Sequence, residues 1–202
     1  LKGKKVVVLG GGDTAMDCVR TAVRQGATSV KCLYRRDRAN MPGSQREVQN
    51  AEEEGVEFVW LSAPKMFVDD AENLNDMRAI TGPLRGVVVD KMRLGQPDAT
   101  GRQSPELIDD AHYVEEADIV IKALGFEPED LPSLWGVEGL EVTRWGTVKA
   151  DFNTGKTSLD GVFAAGDIVR GASLVVWAIR DGRDCATAIL DYLSQSDAVA
   201  AE

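Results

Sequence analysis

The stretch VVVLGGGDTAMD, residues 6–17, runs from an apolar segment through a glycine triplet into an acidic residue. A short continuous apolar run is the pattern of a strand covered on both faces. Beyond it, Ala15, Val19, Ala22 and Val23 recur at helical spacing, and Gly26 stands where a glycine closes a helix. The spacing predicts a helix over 13–25. The turn between the two, Gly10-Gly11-Gly12-Asp13-Thr14-Ala15, fits the pattern GxGxxA. In such a turn the first glycine permits the sharp bend, the second lets backbone approach a pyrophosphate, and the alanine keeps helix and strand close. Free N–H groups and the positive end of the helix dipole then meet the ligand's charge. The expectation is a dinucleotide-binding loop, against the alternative of a glycine-rich turn that serves packing only.

Outward from this turn, TSVKCLYR (28–35) reads as a second strand, 45–54 as a helix stopped by Gly55, and VEFVWL (56–61) as a third strand. Strand, helix, strand, helix, strand is a Rossmann-like, doubly wound α/β unit. KMFVDD (65–70), GVVVDKMRLG (86–95) and HYVEEADIVIKALG (112–125) read as further strands, with GQPDATGRQSPE (95–106) a polar hairpin loop. The proline- and acid-rich GFEPEDLPSLWG (125–136) marks a boundary, dividing the chain into 1–122 and 123–202. In the second part GVFAAG (161–166) predicts a strand and 173–193 a helix, with Val175, Ile179, Gly182, Ala186, Ile189 and Leu193 along one face. The tail SQSDAVAAE is expected to fray.

The end of the second strand bears on the choice of cofactor. A site for NAD usually presents an acidic residue there to the ribose 2′-hydroxyl. Here LYRRDR supplies Arg35, Arg36 and Arg38, whose guanidinium forks suit a 2′-phosphate. The residues therefore favour NADP(H). Asp37 leaves NAD open, and a solvated basic loop paired with Glu47 and Asp37 is the bland alternative.

Bulk properties narrow the remaining classes. The 202 residues carry a net charge of −10, which argues against a nucleic-acid or anionic-membrane surface. Cys18, Cys32 and Cys185 are widely spaced with no CxxC pair, which fits a reducing compartment and a cytoplasmic location. His112, the lone histidine, has no companion ligand nearby, so no metal site is expected. No 18-residue apolar run occurs, and a soluble chain with no membrane contact is expected. A chain that begins at Leu1 and enters a strand within a few residues reads as a piece of a longer protein.

Three stretches carry a resemblance: YRRDRANMPGSQREVQNAEEEGVEF (34–58), ADIVIKALGFEPE (117–129) and TSLDGVFAAGDIVRGASLVVWAIRDGRDCATAI (157–189). Together they resemble the small (β) subunit family of NADPH-dependent glutamate synthase and related flavoprotein oxidoreductases with two dinucleotide-binding domains. The resemblance implies that 1–122 is an NADPH domain and 123–202 the C-terminal half of a split FAD domain. The N-terminal FAD half and an iron–sulfur region would then lie elsewhere in the full-length protein. It implies that Gly125 passes close to NADPH. It also implies that Gly166 and Asp167 face the FAD ribityl chain, and that the N–H groups of Leu174 and Val175 face the flavin pyrimidine edge. Read from the residues alone, Asp167 serves equally as a helix or turn cap.

The activity implied is transfer of electrons from NADPH through FAD and iron–sulfur clusters to a large glutamate-synthesising subunit or another acceptor subunit. A ferredoxin–NADP oxidoreductase type of subunit is the alternative. The isolated piece is expected to be an NADP-binding module without turnover, and no residue is assigned a catalytic acid–base role.

Overall fold

The computed structural model describes residues 1–69, 82–99 and 101–200, the last five of them by backbone alone. It divides into two compact units, Leu1–Gly125 and Phe126–Glu202.

In the first unit, β1 (Lys5–Leu9) leads through the glycine turn into α1 (Asp13–Arg24). Then follow β2 (Ser29–Tyr34), α2 (Gln45–Glu53) and β3 (Glu57–Trp60). The helix ends where the sequence places it, with Gly26 at φ +80, a conformation that side-chain-bearing residues avoid. These strands join a parallel sheet of order β3-β2-β1-β7, in which β7 is Ile119–Lys122. One face of the sheet carries the helices: Val6, Val8, Val30 and Cys32 are buried against Ala15, Met16, Val19 and Ala22 of α1 and Val48 and Ala51 of α2.

The opposite face is covered by strands. β4 (Ser62–Val68), β5 (Gly86–Pro97) and β6 (Gln103–Glu116) form an antiparallel sheet of order β4-β5-β6. Val87 and Val89 of this sheet close over Val7, Leu9 and Leu33. Alternate residues of β1 thus enter two separate cores, which is why the run VVVL has no polar member. HYVEEADIVIKALG is two strands, since Ala117 and Asp118 break it between β6 and β7. The hairpin connection is shorter than the sequence suggests because β5 runs to Pro97 and β6 begins at Gln103. Asp70, read as the end of a strand, lies outside the described residues.

α1 and α2 are tied by charge as well as by packing. Arg20 pairs with Glu47, and both Arg20 and Arg24 reach Glu54, at 2.8 and 2.7 Å. The Arg20 hydrogen bond, and then that of Arg24, hold the Glu54 carboxyl below its ordinary value of 4.5. A carboxyl lowered in the folded state adds stability above its unfolded value, and that stability is lost as pH falls through the lower folded value. Thermal melts between roughly pH 3 and pH 7 should therefore show a decline below about pH 4.5. Glu54→Gln should make that decline shallower; an unchanged profile would remove Glu54 as its source.

The second unit has little regular sheet. α3 (Leu131–Trp135) is capped by Asp130, whose carboxylate accepts from the Ser133 N–H at 3.3 Å. Isolated bridges pair Val142 with Val148, Ala150 with Thr157 and Lys156 with Phe163. GVFAAG is therefore not a strand: only Phe163 is paired, and Gly166 at φ +78 turns the chain into the one-turn helix α4 (Asp167–Arg170).

α5 (Val175–Ala200) starts two residues later than 173 and runs through the tail expected to fray. Among its described side chains the buried one is Cys185, against Gly155, with Asp181, Ala188 and Tyr192 half-buried on the same face. The apolar residues along one face of this helix are mostly open, with Val175 73%, Ile179 57% and Leu193 52% exposed. Among the described residues, no helix is long and apolar enough to cross a membrane.

Candidate functional site

At the C-terminal ends of β1 and β2 the glycine turn and the arginine loop come together. The Gly10 N–H donates to the Leu33 carbonyl at 3.2 Å, which joins the two strand ends. Gly10 has φ +145, and a Cβ there would lie 2.2 Å from the Ala123 carbonyl oxygen. At Gly11 a Cβ would fall 2.5 Å from the Tyr34 ring, immediately before Arg35. Gly12 differs, because nothing lies within 4 Å of a Cβ built on it. The first two glycines are required by the protein's own packing, while the third leaves its backbone open to an approaching group.

Gly12 is also the N-cap of α1, and it offers the helix no side-chain acceptor. The Ala15 and Met16 N–H groups turn back to the Gly12 carbonyl, at 2.9 and 3.2 Å. The donors preceding them have no intrahelical partner, which is the arrangement that receives an anion. Asp13 and Thr14 are exposed and Ala15 is fully buried against the sheet. Below the turn, the Cys32 thiol donates to the Gly10 carbonyl at 3.4 Å, and burial pushes its pKa up to about 12, so it stays protonated.

The arginines are distributed unequally. Arg35 is exposed; Arg36 is half-buried, and its Nε is buried without a hydrogen-bond partner. Neither pairs with a carboxylate among the described residues. Glu47 is taken by Arg20, and Arg38 pairs with Glu52. Asp37 accepts from the Asn40 N–H at 3.0 Å and from Asn40 Nδ2 at 2.7 Å, which closes the loop on itself. The basic loop is therefore not neutralised by Glu47 or Asp37. An uncapped helix end and two guanidinium groups without a carboxylate partner among the described residues are groups that an anionic ligand can meet.

A second candidate region lies in the other unit. Asp167 is exposed at the start of α4, and its Oδ1 accepts from the Ser173 hydroxyl at 3.2 Å. It borders a cleft of about 290 Å³ that includes Phe126, Thr147 and Gly171. Gly166 has φ +78 with open space at its Cβ position. Leu174 accepts from the Trp177 N–H at 2.9 Å and so caps the first turn of α5, with Val175 the first helical residue. Both are exposed, and the first-turn N–H groups have no intrahelical acceptor. Gly125, at φ +90, closes the first unit with open space around it.

The model of the family described as pyridine nucleotide-disulphide oxidoreductase matches residues 1–182. The chain belongs to that family. Among curated members, it is 74% identical over 201 residues to a Cereibacter sphaeroides protein named provisionally a glutamate synthase (NADPH) small chain. It is 65% identical over 190 residues to the Azospirillum brasilense glutamate synthase (NADPH) small chain. These alignments cover 99% and 94% of this chain but 46% and 37% of the relatives, so the chain spans less than half their length. The solved structure of thioredoxin reductase from T. acidophilum matches 98% of the chain and 54% of that protein, with a TM-score of 0.70 at 21% identity. That likeness shows the α/β fold.

A brace over the glycine turn was not among the sequence expectations. The Gly43 N–H donates to the Gly11 carbonyl at 2.9 Å, and the Ser44 N–H donates to Asp13 Oδ1 at 3.0 Å. A Cβ on Gly43 would sit 3.0 Å from the Gly11 oxygen. The Asp13 carboxylate thus holds a neighbouring loop. The Pro42-Gly43 dipeptide in ANMPGS was the available signal, since it marks a tight turn and removes a side chain where two backbones meet.

Proposed function

We propose that this chain is the NADPH-docking part of a flavoprotein subunit of the glutamate synthase type, which delivers electrons from NADPH to an acceptor subunit. The observation that carries the reading is the pair of unpaired arginines beside the open helix end of α1. Gly10–Ala15 would cradle the pyrophosphate, with Gly12 and the first α1 amides as its contacts. Arg35 and Arg36 would take the 2′-phosphate, and Gly125 would pass near the nicotinamide half.

The second unit fits FAD as a partial site. Asp167 would accept from a ribityl hydroxyl, and the Leu174 and Val175 N–H groups would meet the pyrimidine edge, where a helix N-terminus favours negative charge. Bound FAD supplies hydride acceptance and one-electron release, chemistry that amino-acid side chains lack. In this reading 1–122 is the NADPH domain and 123–202 completes an FAD domain whose other half and iron–sulfur clusters lie elsewhere in the full-length polypeptide. The partner is a large, glutamate-synthesising subunit, and the setting is cytoplasmic. The exposed Phe126, Trp135, Trp145 and Phe152, with the open stripe of α5, support a missing half that covers them.

The isolated chain should bind NADPH yet show no saturable flavin quenching below about 1 mM FAD. A carboxylate and a helix end offset too little of the roughly 4–15 kcal/mol lost on association. It should also leave NADPH unoxidised by ferricyanide, with or without added FAD. A yellow preparation with stoichiometric FAD would show that this chain holds a whole flavin site.

A further inference from the structure

We propose that Arg170 is a positioning residue that sets the spacing between the two flavin-facing stretches of the second unit, the Asp167 turn and the start of α5. The inference rests on the FAD reading above. Arg170 is the last residue of α4, and the connection that follows contains Gly171 at φ +82 and Ala172. Such a connection would pivot freely without a tie across it.

The tie is made by the Arg170 guanidinium. Its Nε and Nη2 donate to the two carboxylate oxygens of Asp181, at 2.9 and 2.6 Å. The fork also lies 5.1 Å from the Trp177 ring and 5.4 Å from the Phe152 ring. Trp177 and Asp181 are four residues apart on α5, hence on one face. One planar group therefore grips two consecutive turns of α5 and the loop at Phe152. The Asp181 side chain is 11% exposed and that of Arg170 29%, so the carboxylate is the more withdrawn of the two from water. The Arg170 hydrogen bond also lowers the Asp181 pKa and keeps it ionised.

A lysine could keep the charge but not the two-point fork or the stacking. The geometry requires an arginine. On the other side of the connection, Ser173 bonds Asp167 at 3.2 Å, so the residue between turn and helix is held as well. The clamp acts through the elements that carry the proposed contacts and is assigned no contact with a reacting atom.

The test uses the full-length, FAD-loaded polypeptide with Arg170→Met, Arg170→Lys and Asp181→Asn, and Asp167→Ala as a reference. FAD affinity, flavin midpoint potential, NADPH affinity and thermal melting are measured on each. Arg170→Met and Asp181→Asn should weaken FAD about tenfold, the equivalent of one charge-assisted hydrogen bond, and shift the midpoint potential. Arg170→Lys should recover part of the affinity, and NADPH affinity should stay at wild type in all. A lower melting temperature with unchanged FAD affinity and potential overturns the proposal, because the pair would then be structural only. Silent Arg170 variants beside a defective Asp167→Ala overturn the clamp and leave the FAD reading standing. If Asp167→Ala is also silent, the FAD reading fails and takes the clamp with it.

Discussion

Replacing Arg35 and Arg36 together by alanine should weaken NADPH binding by about 10²-fold or more, and NADH binding by less than about threefold. Each charged bond to a phosphate contributes on the order of 1.5–3 kcal/mol, so two of them reach this range. The structure strengthens the expectation, because neither arginine pairs with a carboxylate among the described residues. The buried, unpartnered Nε of Arg36 points the same way, since an orphaned donor of this kind is stabilised when an acceptor arrives. Asp37 is already engaged by Asn40 and would have to give up bonds at 3.0 and 2.7 Å to serve a ribose hydroxyl. The measurement is a pair of titrations, one with each cofactor, on wild type and double variant. Equal losses would refute the 2′-phosphate role and return attention to Asp37.

Gly10→Ala should destabilise the first unit by about 3 kcal/mol or more, lowering its melting temperature by roughly 10 °C. At φ +145 an alanine is strained whatever the space, and here its Cβ would lie 2.2 Å from the Ala123 carbonyl oxygen and 2.9 Å from its carbon. Both obstacles are backbone, held by the Ala123 N–H bond to the Leu9 carbonyl at 2.8 Å, so no side chain can swing aside. Gly12→Ala supplies the contrast. With nothing within 4 Å of the new methyl, stability should change by less than about 1 kcal/mol while NADPH affinity falls. The two glycines thus separate folding from binding. If Gly12→Ala leaves NADPH affinity intact, the pyrophosphate does not lie over this turn.

The turn from β1 to α1 was legible because its determinants are local: a run of β-branched residues, a helical period and a closing glycine. The arginine loop was legible for the same reason, since two adjacent charges need no partner to be noticed. The antiparallel cover over Val7 and Leu9 was less so, because a buried strand looks alike whether helix or sheet lies on it. Residues 161–166 misled for a related cause. VFAA has strand composition, but a strand needs a neighbour to bond along its length, and here one isolated bridge forms, with Val162 and Ala164 bonding Thr157 and Gly155 on either side of the Lys156–Phe163 pair. On α5 the apolar period is real; what sequence cannot supply is which stripe meets a surface in this chain. The Gly43–Ser44 brace joins residues about 30 apart, beyond any periodic pattern.

The parallel sheet also dictates an order of events during synthesis. β7 lies beside β1, and the Lys5 N–H bonds the Asp118 carboxylate across 113 residues of chain. As the polypeptide leaves the ribosome, β1, α1, β2, α2 and β3 can associate early, since their contacts are short in sequence. One edge of β1 must then wait, with its backbone donors and acceptors open, until the 113 residues that separate Lys5 from Asp118 have been made. Pairings this distant are slow to form, and an unclaimed strand edge invites a second nascent chain. The late-paired edge of β1 is therefore the place where translation rate and chaperone supply should act on the soluble yield.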